Sequence, residues 1–143
     1  GFVGIPQVIN NNILKDILNQ KKIPIISPLG LDSNNQTYNI NGDTAAGAIA
    51  KSLKSRRLFL MTNVEGVLNK EKKLIEEISS SKILEMIKDE TITEGMIPKI
   101  NTCLDAVNNG VTAVGIIDGR KQHSILFELF SDKGSGTLIR KWT

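Results

Sequence analysis

Hydrophobic positions along this chain follow two periods, one suited to strands and one to helices. Four short runs are almost continuously apolar, at residues 22–27, 57–62, 111–117 and 137–140. A strand with one wet face would alternate, so unbroken runs predict strands covered on both sides. Pro24 removes a backbone donor near the start of the first run. Residues 29–40, broken by Asp32-Ser33-Asn34-Asn35, predict a β-hairpin.

Between these runs the spacing turns helical. Asn10 is placed to cap a helix over 11–20, and Asp43 one over 44–53. Ser79-Ser80-Ser81 opens a helix running through Lys88. Residues 96–109 carry Met96, Ile97, Ile100, Cys103, Leu104 and Val107 on one stripe and stop at Asn109-Gly110. A last helix is expected over 120–130. Strands alternating with helices predict an α/β fold, a mainly parallel sheet sandwiched between helices, with a hairpin added. Ligands of such sheets bind beyond the carboxyl ends of the strands, so the loops that follow strands are the places to look.

Three loops stand out. In Tyr38-Asn39-Ile40-Asn41-Gly42-Asp43-Thr44, the residues Asn39, Asn41 and Asp43 alternate and would share one side of an extended segment. They form either a polar strand end with an N-cap or the wall of a substrate site. The segment Asn63-Val64-Glu65-Gly66-Val67-Leu68 follows a strand directly, as a plain exit turn or as a wall for a base and ribose. In Thr91-Ile92-Thr93-Glu94-Gly95-Met96-Ile97-Pro98-Lys99, Pro98 suits a first helical turn. Lys99 is then a cation at the end of the helix where the dipole opposes it, either solvated or holding a phosphate. Cys103 lies on the apolar stripe and reads as core; His123 and Glu128 show no partner for nucleophilic or metal chemistry in the pattern alone.

Composition narrows the field. The chain has 143 residues, enough for one compact domain, with 40% apolar residues and a net charge of +3. Its Lys and Arg are scattered, which speaks only weakly for a nucleic-acid surface and fits a polyanionic small molecule equally well; no nucleic-acid partner is expected. One cysteine and one histidine allow neither a disulfide framework nor a Cys/His zinc site. No apolar run approaches the roughly 20 residues of a membrane span. A cytoplasmic setting follows, or the plastid stroma for an algal or plant source. Neither a Gly-x-x-x-x-Gly-Lys-Ser/Thr loop nor a Gly-x-Gly-x-x-Gly turn is present. The chain opens on Gly1-Phe2-Val3-Gly4 without an initiator Met, which suggests sequence upstream.

Together the three loops resemble the N-acetylglutamate kinases of the amino acid kinase family. Residues 38–46 resemble that family's Asn-x-Asn-Ala-Asp-x-Ala-Ala segment, with Gly42 in place of the Ala. Residues 61–68 resemble its Thr/Ser-Asp-Val-x-Gly-Val/Ile-Leu segment, with Asn63 in place of the Asp. Glu94-Gly95-Met96-Ile97-Pro98-Lys99 resembles its Gly-Met-x-x-Lys segment. Gly1-x-Val3-Gly4, Gly119-Arg120, His123 and Gly134-x-Gly136-Thr137 match flanking stretches.

The resemblance implies a single nucleotide-binding, C-terminal domain over 1–143, with the substrate and phosphate-loop domain upstream. It implies ATP-dependent phosphorylation of the γ-carboxylate of N-acetyl-L-glutamate, with Mg²⁺ accompanying ATP. It gives Lys99 and Asp43 catalytic roles: Lys99 stabilises the transferring phosphoryl group, and Asp43 organises lysines. Asn39 and Asn41 would bind substrate. Asn63, Val64, Glu65, Gly66, Val67, Leu68, Thr91, Ile92, Thr93 and Lys99 would line the nucleotide site. Glu128 and Gly134 match an arginine-effector stretch, while Gly115 stands where arginine-inhibited members carry a His. No protein metal site is implied, and the parent protein is expected to be a homo-oligomer. The glycine-rich loops, a second lysine and a substrate-binding Arg would lie upstream, so residues 1–143 alone are expected to bind nucleotide weakly without turnover. The alternatives are another amino acid kinase, acting on glutamate, aspartate or uridylate, and a non-catalytic nucleotide-binding domain.

Overall fold

The structure, a computed structural model, describes residues 2–92, 95–131 and 134–141. Two sheets carry the fold. The first joins β1 (Val3–Gly4), β3 (Thr37–Ile40) and β2 (Leu29–Leu31) in that order. β1 runs parallel to β3, and β2–β3 is the expected antiparallel hairpin. Its turn is held by Asp32, whose Oδ1 accepts the N–H groups of Asn34 and Gln36. The second sheet has the order β4 (Arg57–Thr62), β6 (Ala113–Asp118), β7 (Gly136–Arg140), β5 (Glu77–Ser79).

β4–β6 and β5–β7 are parallel, whereas β6–β7 is antiparallel. The sheet is mainly parallel, as expected, with one antiparallel contact that the pattern did not show. β6 is buried along its whole length, as its apolar run predicts. One face of the sheet packs under α4 (Ile97–Asn108), α3 (Ser80–Lys88) and α2 (Gly42–Ser52). Ile83, Ile100, Ile116 and Ile139 are fully buried there. Each such side chain contributes about 1.5–3 kcal/mol. The other face carries Phe59 and Gly115 and is covered by α5 (Ser124–Phe130), whose Glu128 reaches toward Gly115.

Several expectations are corrected. Residues 22–27 form no strand: Ile23 and Ile25 are 89% and 97% exposed. β-branched residues need a ladder partner to hold an extended run, and Pro24 withholds a donor. The helix after the hairpin starts at Gly42, capped by Asn41, not at Thr44 capped by Asp43. The last helix begins at Ser124, because Arg120 is tied back to Asp118 and His123 takes a left-handed turn at φ 59. α1 (Asn11–Asn19) is capped by Asn10 and α3 by Ser79, as the polar residues there predict. β1 and β5 are strands that the pattern did not show.

Residues 2–31 keep an unusual amount of apolar surface in water: Phe2, Val3, Ile5, Val8, Ile13 and Leu31 are each more than half exposed. A hollow of about 1100 Å³ lies there, lined by Ile5, Val8, Leu14, Leu29, Ile40 and Ile49. No helix among the described residues is long and apolar enough to cross a membrane.

Candidate active site

The shift in the start of α2 decides what Asp43 does. Asn41 Oδ1 accepts the Thr44 N–H at 3.1 Å, so the cap is already supplied. Asp43 falls in the first turn, where the helix dipole favours a carboxylate. Its side chain turns to α4 and accepts a hydrogen bond from Lys99 Nζ, forming a part-buried ion pair. Lys99 is the third residue of α4, an unfavourable place for a cation that Asp43 offsets. α4 has no side-chain cap and Pro98 lies in its first turn. Its first N–H groups therefore point out of the helix beside Lys99. Two helix N-termini, one acid and one base converge at this point, from segments 56 residues apart in sequence.

Asn39 sits on β3, exposed, opposite Leu29 on one side and Val3 on the other. Asn41 spends its carbonyl oxygen on the cap, receiving both the N–H and, at 3.4 Å, the hydroxyl of Thr44. The loop 63–68 leaves the carboxyl end of β4. Asn63 and Glu65 are exposed in it, and Leu68 is 37% exposed and bridges to Leu74. Gly66 and Val67 face inward. Val67 is 2% exposed, and both its backbone groups are taken, the N–H by Thr137 Oγ1 and the carbonyl by the Ile75 N–H. Val67 shapes the loop and offers a ligand no free backbone group.

Thr91 donates N–H and hydroxyl to Asp89 Oδ1, and Lys70 pairs with Asp89 Oδ2 at 2.9 Å. The Thr91 hydroxyl and the Lys70 ammonium hold the Asp89 carboxyl down at about 2. Ile92 is core, its N–H bonded to the Met86 carbonyl. Thr93, like Glu94 and Gly1 of the motifs, lies outside the described residues. A cavity of about 660 Å³ opens between Asn69, Lys70, Ser79, Lys82, Asp89 and Thr91.

Asp118 was not singled out from sequence. It ends β6 level with Thr62 of β4, and Gly119 N–H donates to the Thr62 carbonyl at 2.7 Å. It is 8% exposed and receives Arg120 through Nε, Nη2 and the backbone N–H. Those bonds hold its carboxyl at about 2. The available signal was an apolar strand that ends on an acid. Cys103 is fully buried, and burial pushes its thiol up to about 12.

Glu128 and Gly134 are brought together. Glu128 Oε2 accepts the Ser135 N–H at 2.8 Å, and a Cβ on Gly134, at φ 62, would come within 2.8 Å of the same oxygen. A Cβ on Gly115 would meet Phe59 Cδ1 at 2.8 Å, so the missing His has no room in this packing.

Two sheets flanked by helices, with an acid–base pair joining the N-termini of α2 and α4, define an α/β domain. The model of the amino acid kinase family matches residues 1–118. The chain belongs to the amino acid kinase family. It is 62% identical over 141 residues to an acetylglutamate kinase of Pelagibacter ubique, covering 99% of this chain and 49% of that protein. An acetylglutamate kinase of Methylobacterium nodulans is 51% identical over the same length, of which the chain covers 46%. The chain spans about half the length of the curated relatives it matches. An N-acetylglutamate synthase from Neisseria gonorrhoeae, solved with coenzyme A and L-arginine, superposes with a TM-score of 0.92 at 26% identity, covering all of this chain and 33% of that one. Carbamate kinase from Giardia lamblia bound to AMP-PNP shares the fold, with a TM-score of 0.72 at 21% identity over 96% of this chain and 46% of that one.

Proposed function

We propose that this chain supplies the nucleotide half of an enzyme that transfers the γ-phosphoryl group of ATP to the γ-carboxylate of N-acetyl-L-glutamate. The Lys99–Asp43 pair carries the reading. Phosphoryl transfer is governed by positioning and by stabilising negative charge, and needs no side-chain nucleophile when a carboxylate attacks. Lys99 donates to a transferring oxygen. Asp43 orients the ammonium through the hydrogen bond it accepts. The exposed N–H groups of the first turn of α4 lie beside the same anion. Asn39 and Asn41 Nδ2 face the acceptor, Asn63, Val64, Glu65 and Leu68 face the nucleotide, and Gly66 and Val67 hold that loop in shape. The cavity at Thr91, walled by Ile75, Ile78 and Met86, has a size suited to the base.

Among the described residues no group of three or more His, Cys, Asp or Glu is placed to hold a metal ion. Mg²⁺ would accompany ATP, held by its phosphates.

Replacing Lys99 by Ala in the full-length protein tests the reading. We expect turnover to fall by a factor on the order of 10²–10³, with the melting temperature kept. Turnover within a few-fold of the parent would sink the proposed role. Acceptor identity is tested with N-acetylglutamate, glutamate, aspartate, uridylate and carbamate; phosphorylation of any but the first would replace it.

A second reading concerns regulation. The contact of Glu128 with Ser135 and Gly134, and the L-arginine in the Neisseria synthase structure, support L-arginine as an effector bound beside α5. Inhibition by arginine that Glu128→Gln abolishes is expected; an unchanged arginine response in that variant counts against the site.

A further inference from the structure

α2 and α4 run side by side in the same direction. Asp43 meets Lys99, Gly47 faces Thr102, and Lys51 meets Asp105, so the contacts climb both helices together. The spacing is four residues on α2 and three on α4. That pattern sets an i±4 row against an i±3 row, which packs helices about 20° from parallel.

Each rung constrains the one above it. Gly47 is buried, and a Cβ there would lie 2.9 Å from Thr102 Cγ2, closer than side chains approach. Thr102 cannot swing aside without losing its own bond, because Oγ1 donates to the Pro98 carbonyl at 3.2 Å. Pro98 immediately precedes Lys99. The middle rung is thus wired to the turn that presents the lysine. The lower rung reverses the polarity of the upper one: α2 carries acid then base, and α4 base then acid. Sliding α2 along α4 in one direction brings Asp43 toward Asp105. Sliding it the other way brings Lys51 toward Lys99. Both slips set like charges together, which only the observed register avoids.

We infer that Gly47, Thr102, Lys51 and Asp105 are positioning residues that fix the register of α2 against α4 and so place Lys99 on the transferring phosphoryl group. The inference rests on the assignment of Lys99 to phosphoryl transfer above. It is distinct from a contribution to stability. The Lys51–Asp105 side chains are 30% and 53% exposed, and exposed pairs add little to folding. A glycine in a helix is replaced by alanine with a gain in propensity, so the glycine marks a need for closeness.

The test uses the full-length protein, with kcat, KM for both substrates and melting temperature read for every variant. Gly47→Ala should lower kcat by about tenfold, since a displacement of 1 Å costs on the order of 10²-fold and this one is smaller. KM and melting temperature should hold. Adding Thr102→Ser, which removes only the obstructing methyl, should restore kcat to within about threefold of the parent. Lys51→Glu should lower kcat, and adding Asp105→Lys should restore it.

Lys99→Ala is run alongside. If that variant keeps its turnover, the phosphoryl-transfer reading fails and takes the inference with it. If it loses turnover while Gly47→Ala keeps the parental kcat, or if neither paired substitution restores kcat, the register inference alone is overturned. Should Gly47→Ala fail to melt cooperatively, the Lys51/Asp105 charge swap decides. Recovery of kcat supports the inference, and no recovery ends it.

Discussion

Thr137 on β7 holds Val67 in place across 70 residues of sequence. Its hydroxyl accepts the Val67 N–H at 2.8 Å and donates to the Ile75 carbonyl at 2.7 Å. Gly66 comes so close to that hydroxyl that a Cβ would lie 2.5 Å from it, at a φ of 146 that side chains avoid. The loop proposed to face the nucleotide is therefore closed onto the sheet by one buried hydroxyl.

Thr137→Val keeps the shape of the side chain and removes both bonds. A buried N–H and a part-buried carbonyl then lose their partner, the first at about 1–3 kcal/mol and the second at less. The variant should lose about 2–4 kcal/mol in urea unfolding, and Thr137→Ser much less. A Val variant as stable as the parent would mean that water reaches the Val67 amide.

Acid should weaken the fold through two carboxylates. Arg120 holds Asp118 near 2, and Thr91 with Lys70 holds Asp89 near 2, against an ordinary value of 3.8. A carboxyl group with a lowered folded-state pKa favours folding above its unfolded pKa. That contribution fades as pH falls through about 4 and is lost only once pH falls below about 2. The melting temperature should therefore drop across that interval, and the Asp118→Asn/Asp89→Asn double variant should show a shallower slope. An identical slope in both proteins would show that other groups set the acid limit.

The one thiol should be silent in the folded protein. Cys103 is fully buried on the inner face of α4, and burial pushes it up to about 12, while the nearby Lys99 charge pulls it down only in part. A thiolate is the reactive form, so a disulfide reagent at pH 8 should label nothing until denaturant is added, then one equivalent. Rapid labelling of the native protein would reveal opening of the α4–sheet packing.

The regular parts of this fold were legible because they are locally coded. Residues 57–62 form a strand at the bounds their apolar run sets, and Asn10 and Ser79 cap the helices they precede. β1 and β5 escaped notice because two or three residues, with at most one buried side chain, carry no period. Residues 22–27 misled because β-branched composition marks a capacity to pair and not the presence of a neighbour. The antiparallel β6–β7 contact depends on how a distant segment returns, which local pattern does not record. In the candidate site, local pattern left Asp43 as cap or substrate wall and Lys99 as solvated or phosphate-holding; only the resemblance chose between them. Their pairing, and the parallel register of α2 and α4 behind it, exist only in three dimensions. Asp118 was missed because it is the polar residue that follows the apolar run 111–117, one position past where the pattern ends the strand.

Asp43 and Lys99 should behave as one unit. The carboxylate accepts the ammonium's hydrogen bond from the first turn of a neighbouring helix, so its work is done through Lys99. Asp43→Asn keeps an acceptor of nearly the same shape and removes the charge. Lys99 would then be held less firmly, and its own unfavourable place at the start of α4 would go uncompensated. We expect kcat to fall by about 10- to 100-fold, less than for Lys99→Met, with KM for ATP within about threefold. The decisive measurement is the double variant. If Asp43 acts through Lys99, removing both should leave turnover no lower than removing Lys99 alone, because the second loss has nothing left to act on. Multiplying losses would instead mean that Asp43 touches substrate or a second cation independently, and the positioning role given to it here would have to be withdrawn.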